Sequence, residues 1–124
     1  MSNLSTYSKN KLINLMRGTA WSAFTGYLAL STTLPTDAGG NVTEPSDGYA
    51  RQAITWNAPT DGDGTAAEIV FSPSAAWNSI SYALIYDAVS GGNLISWVAI
   101  TPVDVTGAGT LTFAATTGLT FTAA

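Results

Sequence analysis

The sequence predicts a mainly β protein, a single-domain β-sandwich of jelly-roll or Greek-key type with one N-terminal amphipathic helix. About seven short strand-like stretches follow one another from residue 26 onward, separated by Gly, Pro, Asp and Asn. Before residue 19, apolar residues recur instead at a helical spacing. A chain of 124 residues is one domain's worth and is long enough to bury a core.

Residues 1–18 are predicted to form the helix, which either packs on or docks the β-sandwich of residues 19–124. Counting by i, i+3 and i+4 places five apolar side chains on one face: Leu4, Tyr7, Leu12, Leu15 and Met16. Ser2 or Asn3 is expected to cap the start of the helix, and Gly18 suits the position just after its end.

The remaining elements are predicted to be short strands. The candidates are residues 26–31, 49–56, 67–72, 80–87, 94–101, 109–115 and 119–122. The segments "YALIY" and "SWVAI" are almost continuously apolar, which predicts central strands covered on both faces. Between them, "SGGN" (90–93) suits a tight hairpin because glycine tolerates positive φ. Residues 32–48 are too long for a simple turn and are expected to form an Ω-like loop that marks a contact surface.

The composition excludes several function classes. The chain has no cysteine and no histidine, so disulfides, zinc sites built on those ligands, and thiol or imidazole catalysis are ruled out. No apolar run approaches the roughly 18 residues of a membrane span, and Lys9 and Lys11 interrupt any signal peptide, so neither is expected. A pI of 4.2 argues against a nucleic-acid partner. We expect no cofactor and no enzymatic activity.

Charge is scarce and unevenly distributed. Charged residues make up 10% of the chain, against about 25% in ordinary globular domains, which suits a protein packed against copies of itself or a partner. Lys9, Lys11 and Arg17 give the first 17 residues a charge of +3, whereas Arg51 against eight acidic residues gives the rest −7. This asymmetry predicts that the basic segment docks on an acidic neighbour or on the protein's own body.

The acidic residues fit no catalytic or metal pattern. Asp61 and Asp63 lie between glycines and resemble the start of a calcium loop, but the twelve-residue spacing to a bidentate Glu is missing. A polar hairpin loop is therefore favoured there, and ion binding stays open. Asp37, Glu44 and Asp47 lie in the long loop, where nothing supplies the raised pKa or the cleft that a glycosidase carboxylate needs.

The aromatic residues are expected mostly to fill the core of a small sandwich. Trp77 is the exception, because it lies in the predicted connection "SPSAAWNS" between two strands. It is the best candidate for an exposed aromatic surface that stacks on a sugar or contacts a partner.

Arg51 is the only positive charge after residue 17. In the predicted strand 49–56, Ile54 and Trp56 are expected to point inward, so Arg51 lies on the opposite face and points outward. A guanidinium can donate two hydrogen bonds to one carboxylate. The acids that could reach it are Asp37, Glu44, Asp47 and Asp87. Two interpretations remain, a salt bridge that pins the acidic loop and a contact with a neighbouring subunit.

The segments "LPTDAGGNVTEPSDGYARQAITW", "AAWNSISYALIYDAVSGGNLISWVAIT" and "GAGTLTFAATTGLTFT" span much of the chain. In them the sequence resembles a group of small bacteriophage virion proteins described as tail-fibre proteins. The matching positions are Pro35, Thr36, Asp37, Glu44, Tyr49, Ala50, Arg51, Gln52, Trp77, Asp87, Ala88, Gly91, Gly92, Asn93 and Leu94. The resemblance implies a non-enzymatic component of the virion.

A fibre that reaches outward needs a long shaft with repeats or heptads, and this sequence shows neither. We therefore expect a capsid decoration, or cement, protein that binds the outside of the shell and stabilises it. The alternative is a tail, baseplate or head-fibre attachment protein that binds a host receptor or glycan. The expected partners are the major capsid protein, other virion proteins and sister copies in a homo-oligomer such as a trimer. The expected contact residues are Lys9, Lys11, Arg17, Asp37, Glu44, Asp47, Arg51 and Trp77.

Overall fold

The structure is a computed structural model that describes residues 3–60, 63–106, 109–114 and 120–122. Its elements, in chain order, are β1 (Asn3–Leu4), α1 (Thr6–Met16), β2 (Tyr27–Ser31), β3 (Gln52–Ala53), β4 (Asp63–Thr65), β5 (Ile69–Phe71), β6 (Trp77–Tyr86), β7 (Leu94–Val105), β8 (Leu111–Phe113) and β9 (Thr120–Thr122). The predicted mainly β class with an N-terminal helix is confirmed.

Every strand pairing in the described residues is antiparallel. The main sheet has five strands in the order β1-β7-β6-β2-β3, and two further pairs are formed by β4 with β9 and β5 with β8. This arrangement is compatible with a β-sandwich. A jelly-roll or Greek-key connectivity stays a prediction.

The core lies on both faces of the main sheet, where β6 is the central strand. Ala83 and Ile85 pack into the larger apolar cluster, whereas Leu84 and Tyr86 pack into a second cluster. Because successive strand residues point to opposite faces, the continuous apolar run "YALIY" reflects cover on both sides, as predicted. In β7 the same prediction holds only at the start of "SWVAI", since Ala99 is exposed.

The helix begins later than predicted and ends as predicted. Ser5 is the N-cap, and its hydroxyl accepts a hydrogen bond from the Ser8 backbone N–H at 3.1 Å. The prediction of Asn3 as the cap is wrong because Asn3 pairs with β7 as part of β1; Ser2 lies outside the described residues. At the other end, Gly18 has φ 90° and its N–H donates to the Leu15 carbonyl at 3.0 Å, which closes a Schellman motif.

Two strand boundaries differ from the prediction with consequences for the site. The predicted strand 49–56 is reduced to β3, because the residues before it hold the long loop instead of pairing with a strand. Trp77, predicted to lie in a connection, is the first residue of β6. The predicted hairpin between β6 and β7 is confirmed with positive φ at Gly91 and Gly92, but its connection spans residues 87–93 and is longer than the tight turn predicted over 90–93.

Candidate functional site

A forked ion pair holds the long loop 32–48 against the sheet. Arg51 lies three residues after the end of the loop and is only 8% exposed. Its Nε donates to Glu44 Oε1 at 2.8 Å, and its Nη2 donates to Glu44 Oε2 at 3.0 Å. Two parallel charge-assisted bonds fix the orientation of both side chains as well as their distance.

The same guanidinium also holds the hairpin between β6 and β7. Arg51 Nη1 donates to the carbonyl of Ala88 at 3.0 Å and to the carbonyl of Gly91 at 2.7 Å. Its central carbon lies 3.8 Å from the centroid of the Tyr86 ring, a cation–π arrangement. One side chain therefore joins the loop, the hairpin and the central strand.

Tyr49 completes the cluster from the other side of the carboxylate. Its hydroxyl donates to Glu44 Oε1 at 2.5 Å and accepts a hydrogen bond from the Leu30 N–H of β2 at 3.2 Å. Its ring stacks on Phe71, with centroids 6.1 Å apart, and meets the edge of Trp77 at 5.7 Å. The polar cluster is thereby tied to the aromatic core.

The ionisation of the cluster follows from this geometry. Burial works to raise the pKa of Glu44, but the hydrogen bonds from Arg51 and Tyr49 outweigh it and hold that pKa below its usual value. Burial and the hydrogen bond to Glu44 raise the pKa of Tyr49. Burial works to lower the pKa of Arg51, but the Glu44 carboxylate raises it. At neutral pH the cluster is therefore a carboxylate, a guanidinium and a neutral phenol.

The expected outward orientation of Arg51 is wrong, and the loop-pinning interpretation is the one that the structure shows, with Glu44 as the partner. The alternation argument required an extended strand over residues 49–56, whereas only Gln52 and Ala53 pair with β2. Trp56, expected inward, is 37% exposed. Beside the fork lies a shallow cleft of about 300 Å³, whose charged groups are already bonded to each other.

The chain matches the family model of the Podophage GP4 fiber I protein gp80 over residues 3–122. It belongs to this family. The chain is therefore a phage structural protein, and membership supports a location in the virion. A search of curated proteins finds no match.

In this fibre I family member, the other two predicted loop acids also make contacts within the chain. The carbonyl of Asp37 accepts a hydrogen bond from the Thr6 N–H at 2.9 Å, which joins the loop to the start of α1. The Asp47 carbonyl accepts from the Ser74 N–H at 2.8 Å. A Cβ on Gly48 would lie 2.8 Å from that same nitrogen, so the close approach requires glycine there. The loop is thus attached to the rest of the chain at Asp37, Glu44 and Asp47.

Trp77 is buried, and the prediction that it is exposed is wrong. It is 3% exposed, packs edge-on against Phe71 at 6.3 Å, and donates its indole N–H to the Ser46 carbonyl at 2.7 Å. The large ring fills the core and its one polar atom anchors the loop end. Its face is therefore closed to a sugar ring or a partner.

The hairpin segment "DAVSGGN" is held by its own side chains. Asp87 accepts from the Asn93 backbone N–H at 2.7 Å and from the Asn93 side-chain amide at 3.0 Å, so it does not pair with Arg51. Gly92 has φ 74°, and a Cβ there would lie 2.6 Å from Asp87 Oδ1. The shape of this hairpin therefore depends on the hydrogen bonds between Asp87 and Asn93 and on the absence of a side chain at Gly92.

The three basic residues of the N-terminal segment lie on α1 and at its end, away from the Arg51 cluster. Lys9 Nζ lies 3.9 Å from Asp37 Oδ2, and both side chains are 55% exposed. Lys11 Nζ lies 5.4 Å from the centroid of the Tyr7 ring. Arg17 Nη1 donates to Asn14 Oδ1 at 3.1 Å. Whether these residues contact a partner stays a prediction.

Two further predictions concern ion binding and membrane spanning. Asp61 lies outside the described residues, as does the side chain of Asp63, so their ion binding stays open. Elsewhere in the described part of the chain, no group of three or more Asp and Glu side chains could hold a metal ion. The described part also contains no helix long and apolar enough to cross a membrane.

Tyr49, which holds Glu44, was not among the predicted contact residues, and neither were Ser5 and Ser8, which anchor the start of α1 on β7. Tyr49 carried a signal, because it belongs to the "YARQ" match, but its hydroxyl partners come from chain segments 5 and 19 residues away. Ser5 and Ser8 carried none, since a serine that is buried has the same sequence pattern as one at the surface.

Proposed function

We propose that the chain is a non-enzymatic structural module of a phage fibre, which attaches to other virion proteins through preformed surfaces. The observation that carries this proposal is the buried Arg51–Glu44 fork in a member of a fibre protein family. The fork fixes the shape of loop 32–48 before any partner arrives, and preorganisation lowers the entropy lost on binding.

The basic face of α1 and the outer side of loop 32–48 are the proposed contact surfaces. They adjoin each other, because Thr6 donates to the Asp37 carbonyl and Lys9 lies beside the Asp37 carboxylate. A modest interface of this kind becomes strong when many copies bind one particle, since the individual contacts act together.

Capsid decoration is the second candidate, and the shape of the elements favours it. The helix of the described chain has 11 residues, and the longest strand has 12. Such elements suit a compact module better than a shaft. A decoration protein would bind the outside of the shell and stabilise it.

Labelling of phage particles tests the proposal and separates the two candidates. Particles that lack this protein would be mixed with purified chain carrying a gold label and imaged. Label confined to fibres or the tail supports the first candidate, and label spread regularly over the shell supports decoration. Particles that bind no more label than they bind of an unrelated β protein would contradict both.

A further inference from the structure

The second half of α1 carries four apolar side chains that remain largely exposed in the described chain. The exposed fractions are 40% for Leu12, 51% for Ile13, 45% for Leu15 and 82% for Met16. An isolated 11-residue helix is marginal in water and depends on packing of an apolar face. Leaving this face in solvent therefore costs stability that a partner could restore.

The uncovered face is a continuation of the face that packs on the sheet. In the first turn, the hydroxyls of Ser5 and Ser8 donate to the carbonyls of Leu94 and Ile95 in β7, and both serines are fully buried. Leu12 follows Ser8 by four residues, so it lies on the same side of the helix. The helix is thus fixed at its start by buried hydrogen bonds, whereas the apolar side chains of its second half are exposed.

The connector after the helix carries a further exposed apolar side chain. Phe24 is 43% exposed, and its ring lies 5.5 Å from that of Trp21, which in turn meets Tyr7 of α1 at 6.2 Å. We call the set Leu12, Ile13, Leu15, Met16 and Phe24 the apolar overhang. Exposed apolar patches of this kind mark interaction sites on soluble proteins.

The charges beside the apolar overhang select an acidic occupant. Lys9, Lys11 and Arg17 flank it, while the only other basic residue, Arg51, is buried and bonded to Glu44. The chain after residue 17 carries Arg51 against eight acidic residues, a net charge of −7. The net charge of the rest of the chain is therefore opposite to that of the helix.

A matching surface lies on β5 and the residue before it. Glu68 is exposed, and it is the one acid, among those with described side chains, that makes neither a hydrogen bond nor an ion pair. Val70 is two residues further on, so it shares the face of Glu68, and it is 39% exposed. This face combines an apolar side chain with a free carboxylate, the counterpart of the overhang.

We propose that the apolar overhang of one copy packs against the acidic body of a second copy, with Glu68 and Val70 on the receiving face. Two overhangs facing each other would bring six like charges together, so the contact joins two different surfaces. Contacts of that type close into rings or continue as open filaments. Such a contact between copies is compatible with a place in a fibre and with a place on a shell.

Sedimentation of the purified full-length chain tests this proposal. The wild type is expected to self-associate with rising concentration, and Ile13→Glu/Met16→Glu is expected to raise the dissociation constant at least about tenfold. Val89→Glu is the matched control, because Val89 is 58% exposed outside the overhang. Circular dichroism checks that each variant folds. If the double variant does not fold, Phe24→Gln, which leaves the helix intact, replaces it.

Charge exchange identifies the receiving face. Lys11→Glu and Glu68→Lys should each weaken self-association. An equimolar mixture of the two single variants should recover it, because both contacts between unlike variants pair opposite charges at positions 11 and 68, whereas contacts between like variants pair equal charges. A wild type that stays monomeric, or overhang variants that associate as well as Val89→Glu, would overturn the proposal. So would an overhang that binds another virion protein and not a second copy. None of these outcomes alters the particle-labelling test.

Discussion

Arg51 forms a two-pronged ion pair with Glu44 while itself only 8% exposed, so a charged side chain is buried in a molecule that carries few charges. Its partners come from the loop before it and from the hairpin about 40 residues later. The shape of both segments therefore depends on one guanidinium.

Arg51→Ala should destabilise the protein more than any single exposed charge removal. Deleting one member of a buried pair costs about 3–5 kcal/mol, and the 27% exposure of Glu44 reduces this to about 2–4 kcal/mol. Arg51→Lys should recover only part of the loss, because an ammonium cannot make the fork. Urea unfolding measures the change, with exposed Arg17→Ala as the control. Equal midpoints for Arg51→Ala and Arg17→Ala would contradict this interpretation.

The free energy of unfolding should fall in acid because Glu44 becomes protonated. The folded-state pKa of Glu44 lies below its ordinary value of 4.5, so its contribution is complete above that value and is lost as pH falls through the folded pKa. The variant Glu44→Gln cannot titrate and should be less stable than wild type at pH 7, with the difference shrinking toward pH 3. Thermal unfolding across that pH range measures it. A difference that does not change with pH would show that the charge of Glu44 is unimportant.

Tyr49→Phe should lose stability although the ring is preserved. The change removes the donor to Glu44 and leaves the Leu30 N–H without its acceptor, a loss of about 1–3 kcal/mol. The matched control is Tyr7→Phe, since the Tyr7 hydroxyl makes no hydrogen bond within the described chain. Unfolding midpoints of the two variants should separate clearly, and coincident midpoints would argue against a structural role for the Tyr49 hydroxyl.

Gly92→Ala should be worse than Gly91→Ala, although the two glycines are adjacent and both have positive φ. A Cβ at position 92 would meet Asp87 Oδ1 at 2.6 Å and the Ala88 Cβ at 2.7 Å, whereas one at position 91 meets nothing within 4 Å. Either substitution places an alanine at positive φ, and this backbone strain costs about 1–2 kcal/mol in both variants. The extra loss at position 92 measures the clash, and equal losses would mean that the hairpin shifts to accommodate it.

Trp77→Ala should cost about 3–5 kcal/mol, as expected for a large core aromatic. Trp56→Ala, at a 37% exposed position, provides a comparison of the same size change. If Trp77→Ala leaves stability unchanged but abolishes binding to particles, then the ring serves contact and not packing.

Hydrophobic periodicity was sufficient to predict elements that are held by burial, such as the apolar core of β6. Glycine positions were sufficient to predict the turns at Gly18 and Gly92, where φ is positive. The prediction of strands from alternation failed where side-chain contacts to another segment replace strand pairing. Residues 49–56 alternate like a strand, yet the contacts of Tyr49 and Arg51 to Glu44 withdraw the first residues from the sheet.

For the same reason, the sequence could nominate Glu44 only as one of four acids for Arg51. Choosing among them requires the three-dimensional course of the loop. The burial of Trp77 was missed because a tryptophan among Ser, Ala and Pro looks like a loop residue, although its partner Ser46 lies 31 positions earlier.

The contacts of Arg51 also suggest an order of folding. Seven positions separate it from Glu44, whereas 37 separate it from Ala88. Closing the shorter ring costs about 1.5 kcal/mol less chain entropy. The ion pair between Arg51 and Glu44 can therefore form first and fix the position of the guanidinium. The hairpin of residues 87–93 then closes on that guanidinium, so the acidic loop determines the shape of a turn about 40 residues further along the chain.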